Sequence, residues 1–499
     1  MGIIAKQSLR GTIVTYLGIA VGFVTTFFVL TRFLTTEEIG LARVFIDAAT
    51  LFIGLAQLGT SSSLIRFSPY FRKDDGSLGH GFFFWAVVVP LIGFLLFTAI
   101  YCACHVPLAT WFGEKSPLFV SYYYLVLPLA FFMLYQQVFE TCSNVLMHIV
   151  LPRTVRELIV RIGLLVLYLL YAFHVLSLNG LMIGICLNYG IAAFINIVYL
   201  FTLGKIRFQP DFAFLRQNPK LVRNYLSYTG LLIVTALAGT MAPILSSFFI
   251  TAKMGLDSTG IFAIATYMAV MVSIPYRSVT AITSPQIAQS LKDDNRADCS
   301  RLVQQVTCNL LLIGGFILLA IWFNIDLIFY LLPNGETYAS AREVVLVLSV
   351  SQLILATFSV CLNTLNYSRY YAFSMIYSVV LTATAILLNS WLIPKYGMEG
   401  AAWSNLLSYG LYFVLIILTL RISSGIRITN RRWYYILALL VVLFALNMLC
   451  IRFLPIANIW LSSILRSVIL LGGGFAVAYF AKLSPELNAL LHSIRLPRH

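Results

Sequence analysis

Arg32-Phe33-Leu34-Thr35-Thr36-Glu37-Glu38-Ile39-Gly40 is a polar turn between two apolar runs, roughly 11–33 and 41–66. Each run is long enough to cross a membrane, which takes about 20 largely apolar residues. The end of the turn, Glu38-Ile39-Gly40, has a counterpart 220 residues on in Ser258-Thr259-Gly260. Gly180 and Gly400, each opening an apolar run, stand at the same offset, as do Tyr189-Gly190 and Tyr409-Gly410. Arg72-Lys73-Asp74-Asp75 and Leu291-Lys292-Asp293-Asp294 follow at 219. These matches run in register with the hydrophobic pattern, so the chain reads as one membrane unit written twice. Duplication of this kind implies two lobes facing a substrate path, and hence a transporter.

Composition supports a membrane setting. Of the 499 residues, 60% are hydrophobic and 10% charged, with a mean hydropathy of +0.91. A soluble surface carries about 25% charged residues. The formal net charge of +15 would point to nucleic acid in a soluble chain. Here no basic helix stands outside the apolar runs, so no nucleic-acid partner is expected. Excess Lys and Arg instead mark cytoplasmic loops. None of the eight cysteines forms a Cys-x-x-Cys pair, and most lie in apolar runs, as packing residues do. Lys6 and Arg10 precede the first run as in a signal peptide. The run continues to Phe33 without a small-x-small cleavage site, so it is expected to be retained as a span.

Fourteen spans are expected, roughly 11–33, 41–66, 81–106, 119–146, 157–176, 179–203, 225–250, 260–285, 303–323, 343–365, 374–393, 400–420, 432–451 and 460–482. With both termini cytoplasmic, 25 basic residues fall inside and 8 outside. The outer set is Arg32, Arg43, Lys115, Lys253, Arg342, Lys395, Arg452 and Arg466. The expected organisation is an N-lobe over 1–203, a cytoplasmic linker over 204–224, a C-lobe over 225–420, and two extra helices with a tail over 421–499. Six spans in each repeat give the halves a shared orientation, with a pseudo-twofold along the membrane normal. The basic, aromatic linker suits an anionic inner leaflet.

The chain resembles the multidrug/oligosaccharidyl-lipid/polysaccharide exporter superfamily, and more narrowly its polysaccharide flippases. The residues that carry the resemblance are Lys6 to Arg10, the turn Arg32 to Gly40, Gln57-Leu58-Gly59-Thr60-Ser61-Ser62-Ser63-Leu64-Ile65-Arg66, and Lys395-Tyr396-Gly397-Met398-Glu399-Gly400-Ala401-Ala402. It extends over the whole length and the fourteen-span count. It implies two lobes in a V that alternate between inward- and outward-open forms. It also implies a substrate of undecaprenyl-linked O-antigen or capsule repeat units.

Ionisable groups within spans are costly and usually functional. In the second span Arg43, Asp47, Thr50, Gly54, Gln57 and Ser61 share one helical face. In the eighth, Thr266, Ser273, Arg277, Thr280 and Ser284 do the same, and Arg277 stands 220 residues after Gln57. Two such stripes could wall a hydrated cavity; polar helix packing is the other reading. Arg277 is the best candidate for a diphosphate, because guanidinium meets phosphate oxygens bidentately; otherwise it snorkels to the cytoplasmic end. Arg43 and Asp47 either belong to the site or neutralise one another. Arg32, with Thr15, Gly18, Gly22 and Thr25, either lines the cavity or anchors in headgroups. Gln137, Glu140, Asn144 and His148 share a face of the fourth span. Glu140 either takes a coupling proton or cation, or pairs with an arginine of the fifth span such as Arg161. Arg466 reads as structural.

The expectation is therefore a bacterial inner-membrane flippase, not an enzyme, that moves undecaprenyl-diphosphate-linked oligosaccharide to the periplasmic leaflet. Its partners would be that substrate, membrane lipids, a coupling proton or sodium ion, and other glycan-assembly membrane proteins. No nucleotide-binding loop exists, and no cofactor or metal is expected. A cation-coupled drug or metabolite exporter is the alternative among transporters. A membrane glycan polymerase or ligase is the alternative in another class, although the longest outer loop, 324–342, holds only Asp326, Glu336 and Arg342 as charges.

Overall fold

Without water, a backbone inside lipid must satisfy its own hydrogen bonds, and the helix does this within one segment. The computed structural model describes residues 3–71, 79–204, 206, 208–453 and 458–484, and it is built of helices. Among these residues, eleven helices are long and apolar enough to cross a membrane. One of the eleven, Tyr371–Ser423, is 53 residues long and carries Gly397 in a non-helical conformation (φ 58°, ψ −133°). Two expected spans, 374–393 and 400–420, lie on either side of that glycine. The turn also needs Gly400, where a Cβ would stand 2.3 Å from the Leu392 carbonyl oxygen. The expected spans 157–176 and 225–250 overlap further helices, Val160–Ala172 and Pro219–Met254. The repeat member Arg72-Lys73-Asp74-Asp75 lies outside the described residues.

The chain forms two compact units, Met1–Ala263 and Ile264–His499. In the first, the polar turn quoted above is a helix start. Thr35 caps Thr36–Ala56: its side chain accepts from the Glu38 N–H, and the Glu38 side chain accepts from the Thr35 N–H at 2.9 Å. This capping box begins the second membrane helix at residue 36, ahead of the expected 41. The helix also ends early. Leu58 (φ 48°) and Gly59 (φ 66°) are left-handed, and a new helix, Thr60–Phe67, follows. The single helix expected over 41–66 is therefore two pieces hinged at 58–59. Two more expected continuities are interrupted. The first membrane helix, Ile13–Phe33, passes through a π segment at Thr25–Leu30. The helix after Leu256 passes through a 3₁₀ turn at Met271–Ser273.

The 220-residue offset has a physical counterpart. A Cβ on Gly40 would lie 2.0 Å from the Leu256 carbonyl oxygen, and one on Gly260 would lie 2.0 Å from that of Thr36. Thr36 and Leu256 are themselves 220 apart. The two glycines meet at a reciprocal helix crossing, the contact that a twofold relation between repeats produces. Thr36 Oγ1 adds a 2.5 Å hydrogen bond to Asp257. This crossing carries residues 256–263 into the first unit. Gly40→Ala and Gly260→Ala should each cost about 1–3 kcal/mol, because carbonyl backbone stands where the methyl would go. Gly410, with nothing within 4 Å of its would-be Cβ, should accept alanine without loss. Melting curves of the purified protein check this, and a Gly40→Ala melt equal to wild type would contradict the crossing.

Candidate functional site

In the first unit the second membrane helix presents Arg43 and Asp47 one turn apart. Arg43 Nε donates to Asp47 Oδ2 at 2.8 Å, and Asp47 is buried. Of the two roles open to this pair, mutual neutralisation is formed in this structure. At the end of the same helix Gln57 Oε1 accepts from Ser61 Oγ at 3.1 Å and from Gln137 Nε2 at 3.4 Å. Gln57 and Ser61 thus keep contact across the hinge, where a continuous helix had been expected to align them. Arg32 is exposed at the end of the first membrane helix, its guanidinium 5.5 Å from the Phe33 ring centre. Thr15 and Thr25 donate back to their own helix, at Gly11 and Val21. The π segment after Val24 changes the phase between their stripe and Arg32.

The densest charge cluster joins three helices of this unit. Glu140, on Val126–Val145, accepts from Arg156 Nη1 at 2.7 Å. Arg156 also pairs with Glu157 at 3.2 Å, and Arg161 reaches Glu157 at 3.0 Å. Arg161 Nη1 then donates to the Gly18 carbonyl oxygen of the first helix at 2.9 Å. Both carboxylates are buried, so each is held by guanidinium rather than by water. The arginine facing Glu140 is therefore Arg156, and Arg161 belongs to Glu157. The register differs because Val155–Ile159 is a π segment, which rotates Arg156 and Glu157 away from their α-helical positions. Glu157 was missed by sequence reasoning, although the run Arg153, Arg156, Glu157, Arg161 was visible. His148 does not share the helical face of Glu140: the helix ends at Val145, Met147 is left-handed (φ 64°), and His148 Nδ1 lies 3.1 Å from the Tyr199 hydroxyl.

In the second unit Arg277 occupies the first turns of Ile274–Lys292. It is exposed, and its guanidinium makes no hydrogen bond or ion pair among the described residues. Ser273 and Thr280, one turn to either side, are buried, and their hydroxyls donate back to the Val270 and Tyr276 carbonyls at 2.9 and 2.7 Å. Asn363 donates to Ser284 at 3.3 Å. Around Arg277 the polar neighbours are thus engaged with backbone or with each other, and the guanidinium is not. Arg466 is buried and bonds its own helix at the Ser462 carbonyl, 3.1 Å away.

A family model described as polysaccharide biosynthesis protein matches residues 5–291. The chain belongs to that family. The matched stretch holds every candidate named above from Arg32 to Thr280. The fold of this polysaccharide biosynthesis family member is similar to that of a structure titled lipid II flippase MurJ, inward closed conformation, with a TM-score of 0.68 and 11% identity over 95% of this chain and 99% of that one. It is also similar to a mutant of the Vibrio cholerae MATE transporter VcmN (TM-score 0.55, 15% identity, 84% and 98% covered). A MOP superfamily transporter from Pyrococcus furiosus scores 0.55 at 14% identity, with 85% and 97% covered. No curated protein matches the sequence. Shared fold with membrane transporters and eleven membrane-length helices make this family member a multi-pass membrane protein.

Proposed function

We propose that the protein is a flippase that carries undecaprenyl-diphosphate-linked oligosaccharide, an O-antigen or capsule repeat unit, from the cytoplasmic to the periplasmic leaflet of a bacterial inner membrane by alternating access. The observation that carries this reading is the conjunction of polysaccharide-biosynthesis family membership with a fold shared with a lipid II flippase. Residues 1–203 and 225–420 act as the two lobes, joined by 204–224. Arg277 binds the diphosphate, with Ser273 and Thr280 shaping its surroundings, and Gln57 is a candidate substrate contact of the first unit. Arg43 and Arg32 receive the phosphates nearer the outer side. Glu140 and Asp47 are the candidates for a coupling proton or sodium ion, since buried carboxylates exchange such ions at modest cost only when a partner can move. Deletion of the gene should remove surface glycan and accumulate lipid-linked repeat unit, with both restored by the intact chain. Unchanged glycan together with altered drug efflux would move the assignment to an exporter.

Orientation follows from the 25-to-8 bias of Lys and Arg. Cysteines placed at Lys253 and Lys395 should react with an impermeant maleimide added outside the cell. Protection of both until the membrane is broken would reverse the topology.

A further inference from the structure

The Gly40–Gly260 crossing is symmetric in its backbone and asymmetric in its side chains. At the 220-residue offset Thr36 corresponds to Leu256, and Glu37 to Asp257. Thr36 Oγ1 donates to Asp257 Oδ1 at 2.5 Å. The twofold mate of that bond would run from Leu256 to Glu37, and a leucine side chain has no donor. One side of the crossing is therefore tied and the other is not. The bond sits at the solvent edge: Asp257 is exposed and Thr36 half-buried, whereas Ile39, Gly40, Leu256 and Gly260 are buried. A second tie nearby, from Ser116 Oγ to the Thr251 carbonyl at 2.7 Å, is buried. Both helices start here, Thr36–Ala56 with Glu37 and Glu38 in its first turn and Leu256–Val270 with Asp257. Two positive helix ends thus meet, and the carboxylates offset their repulsion. The glycines interlock no side chains, since a Cβ on either would meet only the backbone of the other helix. The helices can part there without repacking a core.

Resting on the transport reading above, we propose that the Thr36–Asp257 bond is a one-sided latch at the outer end of the transport path. It holds the crossing closed in the form seen here, and it breaks when the path opens outward. The Lys and Arg bias assigns this end, with Lys115 and Lys253, to the outside.

The test uses the purified full-length chain as wild type, Thr36→Val, Asp257→Ala, their double variant and Glu37→Ala. Hydrogen exchange over residues 36–44 and 256–264 reads how often the crossing opens. Thr36→Val and Asp257→Ala should each raise exchange roughly three- to ten-fold, and the double variant no further, because each change removes the same bond. Glu37→Ala, the matching change on the untied side, should leave exchange at the wild-type rate. Additive single effects, or a Glu37→Ala rise equal to that of Asp257→Ala, would reduce the carboxylates to helix-start electrostatics and overturn the latch. A second arm combines Thr36→Cys with Asp257→Cys, oxidises with copper phenanthroline beside a wild-type control, and maps the disulfide by mass spectrometry. Surface-glycan display should stop on oxidation and return with reductant. Failure of the disulfide to form, or display that continues at full cross-linking, overturns the latch and leaves the flippase reading intact. Failure of that reading shows instead as glycan unchanged on gene deletion, and the exchange arm then decides the latch alone.

Discussion

Arg277→Ala is expected to lose most surface-glycan display at normal expression, while Arg277→Lys keeps part of it. A guanidinium without protein partners in a costly position is available to a ligand, and one charge-assisted hydrogen bond contributes roughly 1.5–3 kcal/mol. That corresponds to roughly a ten- to hundred-fold fall in transport at limiting substrate. Lysine restores the charge but not the two-pronged geometry that fits a diphosphate. Ser273 and Thr280 are satisfied by their own helix, so alanine at either should cost much less. Complementation with matched membrane levels checks the series. Full activity of Arg277→Ala would remove this residue from the mechanism.

The second large effect is expected at the Glu140 cluster. Arg156→Ala leaves the buried Glu140 carboxylate near that of Glu157, with Arg161 serving only the latter. Stranding a buried charge in this way costs about 3 kcal/mol, so the purified variant should melt several degrees lower. Arg161→Ala should also loosen the first helix, because it removes the donor to the Gly18 carbonyl. Glu140→Gln separates structure from coupling. If the cluster is only a strut, the glutamine still accepts from Arg156, and transport falls in step with stability. If Glu140 cycles a proton or cation, transport is lost while the melting temperature stays near wild type. Melting curves and glycan display measured on the same preparations distinguish the two outcomes. A wild-type melt for Arg156→Ala would contradict the network itself.

Much of this fold was legible in the chain. Helices long enough for a bilayer follow from the apolar runs, and the 220-residue offset became a contact between Gly40 and Gly260. The break between 374–393 and 400–420 was marked by Lys395-Tyr396-Gly397, where a positive φ is needed. What periodicity could not give was helical phase. Spacings of three and four assume an uninterrupted α-helix, whereas Leu58-Gly59 hinges the second helix and Val155–Ile159 widens to a π turn. Those two departures decide how Ser61 meets Gln57 and Gln137 and that Glu140 meets Arg156. His148 was grouped with Glu140 for the same reason, since nothing in its neighbours announces that the helix stops at Val145. Arg43 and Asp47 needed no such correction, because four residues of regular helix separate them.

The most direct measurement is the leaflet distribution of the lipid-linked repeat unit in cells depleted of this protein. Labelling spheroplasts with an impermeant glycan-reactive probe reports the outward-facing share. It should fall close to zero on depletion, return with the intact chain, and stay low with Arg277→Ala. An outward-facing share that is unchanged on depletion would contradict the account.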